Sequence, residues 1–250
     1  MNTSISAVVI TFNEGHHLEK CLRALQQVAD EIIVVDSYST DNTIEVAKDC
    51  GATVFQQNWK GYSEQKNDGN SMAKYNWILS IDADEVLDSE LIESISNWKK
   101  NAPTPAAFKR MTNYCGRFIK HGGWYPDIKT RVFNKTQAKW EGTIHESLSN
   151  INKEDVSVLK GHCLHYSYYT IQQHYLQAEK FTTIQALDLF NQGKKSPLFK
   201  RIFSPFAKFC TDYFFRLGFL DGRAGFIIAR ISAYATHLKY KKLHEHWDSK

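Results

Sequence analysis

Short apolar runs and polar, helix-favouring stretches alternate along residues 1–100. Ile5 to Ile10 is β-branched and almost unbroken, as expected of a strand covered on both faces, and it runs into the polar turn Thr11-Phe12-Asn13-Glu14-Gly15. Leu18, Leu22, Leu25 and Val28 then keep helical spacing. Ile32 to Val35 reads as a second buried strand ending at Asp36, and Ser37 to Asn42 is rich in helix-capping residues. Thr43 to Cys50 predicts a helix closed at Gly51, Ala52 to Phe55 a third strand, and Gly61 to Tyr75 a helix weakened by Asp68-Gly69-Asn70. Trp77 to Ile81 is the fourth strand, followed by Asp82-Ala83-Asp84-Glu85 and a helix from Ser89. Phe108 to Asn113 and Ile128 to Phe133 alternate enough to be strands, and the loop between them carries His121, Trp124 and Tyr125. Those aromatics either stack on a ligand or pack the loop down.

Strands and helices alternating at this spacing predict an α/β fold built on a parallel sheet with right-handed crossovers. The strands starting at residues 5, 32 and 77 all end in polar side chains, so side-by-side carboxyl ends would pool those groups in one cleft. A strand cannot bury Asp82, Asp84 and Glu85 unpaired, because each ionised carboxylate would lose several kcal/mol of hydration. Clustered oxygen donors suit a hard cation, Mg²⁺ or Mn²⁺, whose usual companion is a phosphate. The plainer alternative is a solvated acidic turn. No Gly-x-Gly-x-x-Gly follows the first strand and no Gly-Lys-Ser/Thr occurs, which argues against a dinucleotide dehydrogenase and a P-loop enzyme.

Composition narrows the setting. Forty-two per cent apolar and 13% aromatic residues suffice for a sizeable core in a chain of 250 residues. Five cysteines without a Cys-x-x-Cys pair favour reduced thiols in a cytoplasmic setting, and the opening Met1-Asn2-Thr3-Ser4 predicts no secretory leader. The net charge of +4 is unevenly spread: residues 1–193 hold 19 Lys and Arg against 23 Asp and Glu, residues 194–250 hold 12 against 4. A basic tail on an acidic body points to an anionic partner.

Three pieces, Val-Ile-Thr-Phe-Asn-Glu (9–14), Val-Val-Asp-Ser-Tyr-Ser-Thr-Asp-Asn-Thr (34–43) and Ser-Ile-Asp-Ala-Asp-Glu (80–85), each fall at a predicted strand end. In that order they resemble the inverting glycosyltransferases of family 2, which have a GT-A fold. Segments 121–127, 131–134 and 140–146 are further similar to the bacterial lipopolysaccharide-core glucosyltransferases of that family. Tyr38 departs from the pattern, standing where the second motif usually has glycine. The resemblance implies a UDP-sugar donor, glucose first, and a divalent metal. Asp36 would bond the uracil or ribose, with Thr11, Asn13 and Glu14 lining the nucleoside pocket and Lys66 on a helix that reaches the nucleotide. Asp82 would face the ribose or sugar, and Asp84 would ligate the metal. For these residues a helix cap, a turn or a solvated helix face is the structural alternative.

Inverting transfer also needs a general base for the acceptor hydroxyl. Asp127, Glu141 and Glu146 are the candidates in the second half of the catalytic domain. Family 2 enzymes commonly carry the base in an acidic motif at the place of His145-Glu146, so Glu146 is the first choice and Asp127 the second. The alternative for Glu146 is a cap, or a pair with Arg131. His162-Cys163-Leu164-His165 does not match zinc spacing. His165 is better read as a second metal ligand or diphosphate contact, as in some relatives, or as a structural histidine.

Thr170 to Gln192 reads as a helix ended at Gly193, with Lys194 to Pro197 as a hinge. From Phe199 onward aromatics and cations crowd together, and Arg216, Arg223, Arg230 and His237 recur every seventh residue, with Asp221-Gly222 as the expected break. No window is apolar enough to span a bilayer. The expected organisation is a GT-A catalytic domain over 1–168, divided near residue 100 into donor and acceptor halves, and a basic amphipathic helical extension over 169–250. Residues 199–250 would lie on an anionic membrane surface, or pack on the catalytic domain or a second copy as a homo-oligomer. Nucleic acid fits poorly, because the tail is mostly apolar. The resulting expectation is a metal-dependent hexosyltransferase, peripheral on the inner face of the cytoplasmic membrane, acting on a lipid-linked saccharide. The rival classes are a sugar-nucleotidyltransferase, which would want a basic loop that Thr11 to Gly15 does not supply, and a non-catalytic carbohydrate-binding or scaffold protein.

Overall fold

The computed structural model describes residues 2–101, 103–142 and 146–249. Strands β1 (Ile5–Thr11), β2 (Glu31–Asp36), β3 (Thr53–Gln56) and β4 (Trp77–Asp82) form the parallel half of a mixed nine-stranded sheet. They are linked through helices α1 (Gly15–Leu25), α2 (Thr43–Asp49) and α3 (Tyr62–Met72). The other half comprises β5 (Glu85–Leu87), β6 (Ala106–Tyr114), β7 (Arg117–Phe118), β8 (Asp127–Asn134) and β11 (Ser157–Tyr168), after helix α4 (Ser89–Lys100). A small hairpin, β9 (Trp140–Glu141) with β10 (Ser147–Leu148), stands apart. The order β3-β2-β1-β4-β8-β6-β11-β5 turns antiparallel at β8. This is the α/β GT-A architecture, a mixed sheet flanked by helices and followed by C-terminal helices.

The apolar runs do not alternate because both faces of the sheet are covered. Ala7 and Val9 of β1 point into a core with Leu18, Leu22 and Leu25 of α1 and Leu91 and Ile95 of α4. Val8 and Ile10 point the other way, onto Ile33, Val35, Ile78, Phe133 and Trp140. Gly69, expected to weaken α3, is what lets that helix approach: a Cβ there would sit 2.6 Å from Val8 Cγ1 and 2.8 Å from Val35 Cγ2.

The chain divides into two compact units, residues 1–110 with 127–165, and residues 111–126 with 166–250. Residues 111–126, which the sequence pattern assigns to the first domain, therefore group with the C-terminal helices. The reason is aromatic packing inside the second unit: Trp124 stacks on Tyr168 at 5.2 Å and meets Tyr114 edge-on, with His174 of α5 (Ile171–Asn191) beside them. Trp124 thus packs the loop down. His121 and the backbone of Lys120 are held by the buried carboxylate of Asp221. Helix α5 starts at a Thr170–Gln173 capping box and is followed by Gly193 at a φ of 70°. Helix α6 (Leu198–Cys210) and helix α7 (Gly222–Asp248) are separated by turns spanning 211–221, a wider break than Asp221-Gly222 alone, and Arg216 falls in it. The sevenfold stripe on α7 therefore begins at Arg223.

Candidate active site

The strand order reverses at β1, which has β2 on one side and β4 on the other, so the crevice at their carboxyl ends is the topological switch point where open α/β sheets bind ligands. Thr11 pairs in register with Asp36 and Ile10 with Asp82, bringing three polar strand ends level. The Asp36 carboxylate accepts from the Ser39 hydroxyl, from Ser39 N–H at 2.9 Å and from Gln56 Nε2 at 3.2 Å. It shapes the turn after β2 while keeping one of its roughly four acceptor sites free. In that turn Tyr38 is exposed at a φ of 62°, the left-handed conformation that explains why glycine is common at this position. Asn13 is left-handed too (φ 55°), and its Oδ1 accepts from Thr40 N–H at 2.8 Å, so the turns after β1 and β2 brace each other. Thr11 Oγ1 is buried with no hydrogen-bond partner.

Four carboxylates and three cations of the first unit form an unbroken alternating chain. Asp127 pairs with Arg110 at 2.8 Å, Arg110 with Glu85 at 3.4 Å, and Glu85 with Arg131 at 3.1 Å. Arg131 continues to Asp82 at 2.9 Å, Asp82 to Lys66 at 3.0 Å, and Lys66 to Glu146 at 2.7 Å. Burial opposes ionisation of Asp82, but the Arg131 guanidinium and the Lys66 ammonium outweigh it and hold the carboxyl well below the usual range. Lys66 is buried, with Trp140 beneath it at 5.0 Å, so it reaches the site as a brace between two acids. Glu146 pairs with Lys66 in place of Arg131. The two candidate bases thus stand at opposite ends of the chain; among the described residues Asp127 is held by Arg110 and Lys129, and Glu146 by Lys66. The neighbouring Thr143, Ile144 and His145 lie outside the described residues.

Asp84 stands apart from that chain. Its Oδ2 is 3.1 Å from His165 Nε2 on β11, while His165 Nδ1 is buried with no hydrogen-bond partner. Burial works against a charged His165 imidazole, but the Asp84 hydrogen bond and the charges of Asp84 and Glu85 prevail and raise its pKa. Burial, followed by the negative charges of Asp84 and Asp41, pushes Glu14 up to about 7. Among the described residues no three His, Cys, Asp or Glu side chains form a set that could hold a metal alone. Asp84 and His165 nevertheless fit a divalent cation of the kind that takes one or two protein ligands and fills its shell with phosphate oxygens and water. His162 turns instead to Asp88 at 3.3 Å, and Cys163 is fully buried with its thiol pushed up by burial.

Sequence reasoning missed Glu85 and Arg110 as connectors and Tyr62 as a neighbour of the acids. Burial, then the charges of Glu146, Asp82 and Asp84, raise the Tyr62 phenol. Its position just after Gly61, where a helix begins against the crevice, was the available signal.

A GT-A sheet with an acidic, cation-braced crevice at its switch point defines a glycosyltransferase. The chain belongs to glycosyl transferase family 2, whose model matches residues 6–173. It is 33% identical to an uncharacterised glycosyltransferase of Rickettsia prowazekii over 96% of this chain and 87% of that protein. It is 28% identical to the lipopolysaccharide core biosynthesis glycosyltransferase LpsC of Rhizobium meliloti, over 96% and 92%. The crystal structure of a mycobacterial protein superposes with a TM-score of 0.53 at 13% identity over 74% of each chain, a likeness of fold alone.

Proposed function

We propose that this glycosyltransferase moves a sugar, glucose in the first instance, from a UDP-sugar to a lipid-linked saccharide of the lipopolysaccharide-core type, with inversion and with Mg²⁺ or Mn²⁺. The observation that carries the reading is the Asp84–His165 pair just after β4, set beside Asp82, which Lys66 and Arg131 already neutralise. Support for the acceptor is the likeness to LpsC, a protein named for lipopolysaccharide core biosynthesis. The enzyme would work peripherally on the inner face of the cytoplasmic membrane, where such acceptors are lipid-anchored.

The residues divide the work as follows. Asp36 keeps an acceptor site for a uracil or ribose donor group, between the turns of Asn13 and Ser39. Thr11, with its unpartnered hydroxyl, and Glu14 line the same pocket. Asp82, fixed by Lys66 and Arg131, offers an oriented carboxylate to the ribose or the transferred sugar. Asp84 and His165 would hold the cation, and the chemistry it would supply is neutralisation of charge on the departing diphosphate. Glu146 takes the proton of the acceptor hydroxyl as that oxygen bonds to the anomeric carbon and the bond to the diphosphate breaks. An acceptor hydroxyl competes with one cation at Glu146 and with two at Asp127, which favours Glu146 as the base.

A thermal-shift screen of UDP- and GDP-sugars with Mn²⁺ tests the reading, followed by transfer from the stabilising donor. A UDP-sugar, UDP-glucose first, should stabilise the protein only with the metal present. A protein indifferent to every UDP-sugar, with and without Mn²⁺, would overturn it.

A further inference from the structure

Helix α6 buries none of its residues. Leu198, Phe199, Ile202, Phe203 and Phe206 follow i, i+1, i+4, i+5, i+8 spacing, so they share one face, and that face is exposed: 67% at Phe199, 53% at Phe203 and 68% at Phe206. The turns after α6 extend it with Phe215, Phe219 and Leu220, Phe215 being 81% exposed. At its C-terminal end the helix packs on α7, where Phe209, at the margin of the same face, meets Phe226 edge-on at 5.9 Å. Helix α7 itself buries Gly225, Ile228, Ala229, Ile231, Leu238 and Leu243. The long basic tail is thus not uniformly available to a partner: α7 spends much of its apolar surface on packing and exposes Phe226 and Tyr234, whereas most of the tail's large exposed apolar side chains lie on α6 and the turns beyond it.

The charges around this face select its occupant. Residues 194–216 contain six Lys and Arg and a single acid, Asp212. That acid is buried and already paired with Lys208 at 2.9 Å. A second copy of the chain would bring the same cations face to face with them, which opposes a symmetric dimer through α6. An apolar stripe with the exposed Lys194, Lys195 and Lys200 at its start matches the boundary between acyl chains and anionic headgroups. Among the described residues no helix is long and apolar enough to cross a membrane, so the helix would lie in the interface plane.

We infer that α6 and the turns after it form an in-plane docking element for an anionic lipid bilayer, seating the Phe199–Phe203–Phe206 face among the acyl chains and Lys194, Lys195 and Lys200 at the headgroups. This deepens the peripheral placement proposed above and is independent of the sugar chemistry, since vesicle binding is read without a donor. The test is cosedimentation of the full chain with phosphatidylcholine vesicles, with and without phosphatidylglycerol, at low and high salt, alongside sedimentation velocity without lipid. The wild type should sediment with the anionic vesicles only, and less at high salt. Each Phe→Ser at 199, 203 and 206 should lower partitioning roughly tenfold. Each Lys→Gln at 194, 195 and 200 should lower it about fivefold. Circular dichroism should show all variants folded, because the replaced side chains are exposed. A wild type that stays in the supernatant with anionic vesicles overturns the proposal, as does a triple Phe variant that binds like wild type. So does a lipid-free dimer that the triple variant abolishes, which would make the face a contact between copies.

Discussion

At the scale of single residues, the proposed function gives Asp84 and Glu146 separable duties, and their variants should fail differently. Asp84→Ala removes one of the two protein ligands proposed for the cation and should abolish the Mn²⁺-dependent thermal shift with a UDP-sugar. Glu146→Gln keeps the shape of the side chain and loses the proton acceptor; it should leave that shift intact while turnover falls about 10²–10⁴-fold, measured as released UDP. Normal transfer by Glu146→Gln would move the base elsewhere, with Asp127 the first place to look. Residue types at strand ends were the legible part of this site. Asp36, Asp82 and Asp84 announced themselves because a charged group cannot end a buried strand without something to do. Lys66 was legible as a cation near the site but not as a brace, because its two partners lie on β4 and just before β10, far apart in sequence. Tyr38 shows the reverse case: the departure from glycine is visible in sequence, and only the backbone shows that tyrosine takes up the left-handed turn regardless.

At the scale of elements, the alternating ion chain ties α3, β4, β6 and β8 together, so its members should behave as structural residues as well as site residues. Lys66→Met leaves Asp82 and Glu146 without their shared cation inside a buried setting, and should cost about 3–5 kcal/mol in urea unfolding. Asp127, half-exposed at the other end, should matter far less: Asp127→Asn is expected to cost about 1 kcal/mol or less. Similar losses at the two positions would mean that the chain does not act as a buried network. Gly69→Ala tests how α3 is seated. The added methyl meets Val8 and Val35, and overpacking of this kind should destabilise by about 1–3 kcal/mol, although alanine is the better helix former. The parallel half of the sheet was readable because each strand is a short apolar run closed by a turn. The antiparallel half was less so: β7, β9 and β10 are two residues long and hold no periodicity to read. The grouping of 111–126 with the C-terminal helices depends on an aromatic cluster gathered from three distant segments, and no local pattern signals it.

At the scale of the whole molecule, two ionisable groups, the buried His174 and the half-buried Glu14, one in each unit, pull stability in opposite directions over the same pH range. In the second unit, burial pushes His174 down to about 4 from an ordinary 6.5, beside the Tyr114 hydroxyl. The unfolded chain therefore binds more protons than the folded one between those values, and stability drops as pH falls from 6.5 toward 4. In the first unit Glu14 is raised from 4.5 to about 7, so the folded chain binds more protons there, and stability drops as pH rises through that interval. Asp82 adds no slope in this window, because its depressed pKa keeps it ionised until much lower pH. In melts from pH 4 to 8, the wild type should show a shallow profile in which the two slopes offset each other. His174→Gln should expose the Glu14 slope, leaving a protein that melts progressively lower as pH rises from 4.5 to 7. Glu14→Gln should expose the opposite slope, with a melting temperature that climbs from pH 4 to 6.5. Parallel profiles for the two variants would show that neither group is held as its surroundings require. Saturating Mn²⁺ should then flatten the Glu14 limb and leave the His174 limb alone, since a cation at Asp84 cancels one of the charges that raise Glu14, and none of those charges acts on His174.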